Sequence, residues 1–70
     1  MGKEAKRFGE NFKRIRTRKC LSQREIAGTL GVHKGLISNI EHGKTNPTLT
    51  TIAKLAKALG VPMEELIRCD

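Results

Sequence analysis

Apolar positions recur at helical spacing along nearly the whole chain. Ala5, Phe8, Phe12 and Ile15 step by three, four and three residues and so line one face of a helix. This spacing predicts a first helix from about Phe8 to Lys19, with residues 1–7 as a basic tail or frayed start. Ile26, Ala27 and Leu30 mark a second, shorter helix, and Val32, Leu36, Ile37 and Ile40 a third from about Lys34 to Glu41. Ile52, Leu55, Ala56 and Leu59 stripe a fourth that starts at Leu49 or Thr50, and a short fifth runs from Met63 to about Arg68. No stretch alternates with the period of a strand, so residues 8–70 read as one all-α domain.

Punctuation supports these limits. Ser22 and Glu25 have the spacing of a capping box, in which each side chain satisfies the other residue's backbone amide. Gly31, Gly43 and Gly60 follow the last apolar residues of their helices, where a left-handed stop is needed. Asn46-Pro47 forces extended or turn geometry after the third helix, and Thr48 suits the cap of the fourth. Pro62, Glu64 and Glu65 suit the start of the fifth helix, and Arg68 its negative end. The third helix is the odd one. It opens with His33 at the N-cap, a lysine, and then Gly35, which costs about 1 kcal/mol against alanine.

Composition narrows the class. Phe8 and Phe12 are the only aromatics, so the core is built from Ile, Leu, Val and Ala. A domain of 70 residues is marginal by itself, and pairing with a second copy is a common remedy. The net charge is +7, and its placement matters more than its size. Residues 1–35 hold ten Lys and Arg against three acids, whereas residues 36–70 hold four of each. Such asymmetry points to a polyanion, either nucleic acid or an acidic membrane surface. Cys20 and Cys69 stand far apart without metal-ligand spacing, so reduced thiols are expected and no metal site. No apolar run is long enough to cross a membrane, and no signal peptide is evident. His33 and His42 lie nine residues apart, and no acid pair, nucleophile–base set or phosphate loop accompanies them. An enzyme and a cofactor are therefore not expected.

The second and third helices are joined only by Gly31, Val32 and His33. Such a unit lays one helix across the other, with the small Ala27 allowing close crossing. Gln23, Ala27, Gly31, Val32, Ile37, Ile40 and Glu41, in that order and spacing, resemble the helix-turn-helix of the phage repressor and Cro-type family, also called the xenobiotic-response-element family. The segments "FKRIR", "EHGKTNPT" and "LAKALGV" extend the resemblance to about residues 8–67.

The resemblance implies a five-helix, lambda-repressor-like domain that binds double-stranded DNA as a homodimer and regulates transcription. The segment of about 33–41 would enter the major groove. His33, Lys34, Gly35, Ser38 and Asn39 match the family's base-reading positions, with Lys34 suited to guanine and Asn39 to adenine. Ser22, Gln23, Lys44, Thr45 and Asn46 fall where the sugar-phosphate chain would be held. Five phosphates neutralised would give a log–log salt slope of about −4.5. Arg16 and Glu41 match a structural ion pair of the family. Leu36 departs from the commoner polar or small residue; it either touches a thymine methyl or packs half-buried, and packing is the favoured reading. Met63, Leu66 and Ile67, beside Val61, crowd the last helix and are the expected dimer contacts. The expected location is cytoplasmic, at the bacterial nucleoid when bound. Antitoxins share this fold, so the other open reading is a regulator whose main partner is another protein.

Overall fold

The computed structural model describes residues 2–67. They form α1 (Gly2–Arg18), α2 (Gln23–Leu30), α3 (Lys34–Glu41), α4 (Leu49–Leu59) and α5 (Met63–Ile67). The positions of Arg68 and Cys69 lie outside the described residues. No described helix is long and apolar enough to cross a membrane.

α1 is the spine. It packs on α3 along one flank and on α5 along the other, while α2 bridges α3 and α4. Its start at Gly2 precedes the Phe8 that the sequence predicts. The reason is tertiary. Ala5 carries the buried stripe one turn further back, and the backbone of Lys6 lies against Gly43 at the end of α3. Phe12, Ile26, Ile37, Ile40, Leu55 and Leu66 are the largest fully buried side chains, drawn from all five helices. Phe8 and Phe12 stack nearly parallel, with centroids 6.5 Å apart. Burying one such side chain contributes about 1.5–3 kcal/mol.

Two residues of α1 set its distances to its neighbours. Gly9 meets the end of α3 so closely that a Cβ there would lie 2.6 Å from the carbonyl oxygen of Glu41, and nearer still to that of Ile40. Asn11 is buried on the opposite flank. Its Nδ2 donates to the carbonyl oxygens of Glu65 (2.6 Å) and Leu66 (2.8 Å), and its Oδ1 accepts from Arg14 Nη2. Asn11 thus satisfies two carbonyls at the end of α5 that the helix itself leaves open.

The ends of α1 to α4 follow one rule with one exception. α2, α3 and α4 each stop at a glycine with φ between 71° and 74°, and the amides of that glycine and of the next residue bond back into the last turn. α1 makes the same pair of bonds, Cys20 N–H to Thr17 and Leu21 N–H to Arg16, but Cys20 takes the left-handed position at φ 59°. A side chain there costs about 1 kcal/mol or more. Without a glycine, this stop carries no sequence signal.

Candidate nucleic-acid interface

The turn between α2 and α3 is held by the Val32 amide, which donates to Ala27 (3.0 Å), with Gly31 in the left-handed region. Ile37 and Ile40 then sink into the core at 0% and 1% exposure. That fixes the rotation of α3. His33, Lys34, Gly35 and Asn39 are left exposed, and Ser38 half-buried. The five base-reading candidates therefore belong to one turn-and-helix unit.

His33 occupies the N-cap position, but its imidazole makes no capping bond. Its extended backbone lets its carbonyl accept from Leu36 (3.0 Å), so the side chain is left for other partners. Leu36 is 36% exposed, whereas Ile37 and Ile40 fill the space beneath the helix. A Cβ built on Gly35 meets nothing within 4 Å, so its lack of a side chain serves no internal contact.

The far end of α3 is clamped. Glu41 is buried, and its carboxylate accepts from Arg16 Nε (2.6 Å) and Nη2 (3.3 Å) of α1 and from Gln23 Nε2 (2.9 Å) of α2. Arg16 Nη1 also donates to the carbonyl of Leu21 (2.7 Å). A buried charge needs this many partners, since it has lost its water. The network joins the end of α1, the start of α2 and the end of α3.

Gln23 thus spends its side-chain amide inside the molecule. What its place at the first turn of α2 offers outward is backbone N–H at a positive helix end. Ser22 forms both halves of the capping box, with its Oγ accepting from Glu25 N–H (3.0 Å) and its own N–H donating to Glu25 Oε1 (2.7 Å). Its hydroxyl hydrogen remains available to a phosphate oxygen. Lys44 and Asn46 are exposed in the loop after α3, and Thr45 is half-buried. Arg14, in contrast, is engaged by Asn11 on the α5 flank of α1.

The dimer candidates do not form one set. Leu66 is 1% exposed and belongs to the monomer core, where Asn11 anchors the end of its helix. Met63 packs half-buried against that core, and Ile67 is 50% exposed. Leu49, at the start of α4, is 72% exposed. His42, the C-cap of α3, lies one turn beyond Ser38.

A short helix, a glycine turn and a second helix with one buried and one free polar face, on a strongly basic domain, define a helix-turn-helix unit of the kind that lies on DNA. Residues 12–66 match the helix-turn-helix family, and the chain belongs to it as a DNA-binding transcriptional regulator of the repressor and Cro type. It is 42% identical over 62 residues to an uncharacterised helix-turn-helix transcriptional regulator, y4dJ, of Sinorhizobium fredii, covering 89% of this chain and 80% of that one. It is 39% identical to the control protein C.BamHI of Bacillus amyloliquefaciens, covering 86% and 75%. Identity to the cryptic phage CTXphi transcriptional repressor RstR of Vibrio cholerae is 38%, covering 86% of this chain and 54% of the repressor. Among solved structures, the restriction-modification controller protein C.AhdI of Aeromonas hydrophila superposes with a TM-score of 0.85 at 35% identity, covering 89% and 94%.

Proposed function

We propose that the protein binds a two-fold DNA operator as a homodimer, with α3 of each copy in the major groove. The observation that carries this reading is the free polar face of α3. His33, Lys34, Gly35 and Asn39 are exposed on a helix whose opposite side is locked into the core. Lys34 donates to guanine O6 and N7, and Asn39 pairs with adenine N6 and N7. Lys44, the first-turn amides of α2 and the Ser22 hydroxyl hold phosphates and set register. Similarity to a control protein and a phage repressor supports a regulator that acts at promoters.

The two copies meet through the exposed end of α5, with Ile67 at its centre and Leu49 as a second apolar contact. A dimer of this kind places its recognition helices about 34 Å apart, one turn of DNA. Selection from random duplexes tests the whole reading. An enriched inverted repeat with that spacing is the expected result, and no enrichment at moderate salt overturns it. Sedimentation equilibrium tests the dimer separately. A monomer at high micromolar concentration removes it, and Ile67→Asp should shift the wild-type equilibrium toward monomer.

A further inference from the structure

We infer that His42 is a further contact to the DNA backbone, one that engages only when its imidazole is protonated. The inference rests on the placement of α3 in the groove.

His42 stands at the end of α3, and Lys34, Ser38 and His42 follow one another at four-residue steps along one side of the helix. A helix that enters the groove with its first turn leaves it toward the phosphates with its last. The side chain is exposed, but its orientation is not free. Nδ1 lies 2.8 Å from the carbonyl oxygen of Ser38, which also accepts the backbone N–H of His42 at 3.0 Å. A carbonyl has no proton to give, so Nδ1 must carry one. The Ser38 hydroxyl, 3.4 Å away, shares the same proton at best.

Fixing Nδ1–H fixes the chemistry of the other nitrogen. In the neutral ring Nε2 is a bare lone pair, which a phosphate oxygen repels. Protonation turns it into a cationic N–H donor, which a phosphate oxygen accepts strongly. The charged and polar groups nearest in the fold are Glu41, neutralised by Arg16 and bonded to Gln23, Lys6, whose backbone packs on Gly43, and Lys44, exposed in the loop. The negative C-terminal end of α3 favours the imidazolium over the neutral ring.

The sign follows from linkage. Phosphate favours the imidazolium, so binding DNA takes up a proton. The extra affinity is present at acid pH and is lost as pH rises through the titration of the bound imidazole.

The test measures affinity for a random-sequence duplex at fixed salt from about pH 8 to 5.5, since a phosphate contact needs no particular sequence. The ratio of wild-type to His42→Gln affinity should widen about tenfold toward the acid end. At that end the wild-type salt slope should exceed the variant's by about 0.9. The widening of the ratio on His42→Gln should persist in a His33→Gln background, whatever His33→Gln does to affinity itself. A constant ratio, or a dependence that disappears with His33→Gln instead, overturns the inference while leaving DNA binding intact. No binding at any pH overturns the DNA reading and this inference with it. Imidazole nitrogen shifts of free wild-type protein give an independent check: a neutral His42 protonated at Nε2 contradicts the inference even if the variant misfolds.

Discussion

α2 and α3 are both eight residues long and lie side by side, yet they are built in opposite ways. Both end on a glycine stop, but α2 carries a complete capping box at its start. α3 opens without a side-chain cap and with a glycine in its first turn. Its stability comes from the other end, where Glu41 is gripped from α1 and α2 and where Gly9 lets α1 close on its last carbonyls. One helix is stabilised locally and the other by the fold around it. The difference leaves the opening turn of α3, with His33 and Lys34, clear of internal partners and available to a ligand.

Substitutions can break this contrast in order of size. Removing the clamp has the largest effect. Glu41→Ala strands the Arg16 guanidinium in a site where it is 13% exposed and should cost about 3–5 kcal/mol in denaturant unfolding. A loss under 1 kcal/mol would mean that α3 is not held there. Gly9→Ala drives a methyl group into the backbone of α3 and should cost about 2–3 kcal/mol by the same measurement. Ser22→Ala removes the α2 cap and should cost about 1 kcal/mol, a fall in Tm of roughly 4–8 °C.

Gly35→Ala has the smallest effect and the opposite sign. With open space around the new methyl, it should stabilise the free protein by up to about 1 kcal/mol while leaving DNA affinity unchanged or weaker. Thermal melts with and without duplex check both halves. Destabilisation of the free protein would show a backbone role for Gly35.

The legible parts of this molecule were those written locally. The capping box at Ser22 and Glu25, the stops at Gly31, Gly43 and Gly60 and the cap at Thr48 mark helix ends within a few residues of sequence, and the structure places them there. The contacts that a sequence hides are those made between helices. Gly9 looks like an ordinary glycine inside a helix until α3 is set against it. Asn11 looks like a polar residue beside the apolar stripe until α5 ends on it. Leu66, expected at a dimer contact, lies in the core instead, because α1 and α4 both pack on its short helix. The exposed face of α3 was visible early because helical period alone separates it from Ile37 and Ile40. The bond from Gln23 to Glu41 was not, since a side chain reaching across helices leaves no trace in spacing.

The most direct test compares Lys34→Ala, Asn39→Ala and Lys44→Ala on the duplex enriched by selection and on a scrambled duplex of equal length. If α3 reads bases, the first two variants should each lose about 1–3 kcal/mol on the selected duplex and much less on the scrambled one. Lys44→Ala should weaken both alike and reduce the salt slope by about 1. Equal losses on both duplexes for Lys34→Ala and Asn39→Ala, or none on either, would contradict the assignment of the exposed face of α3 as the reading surface.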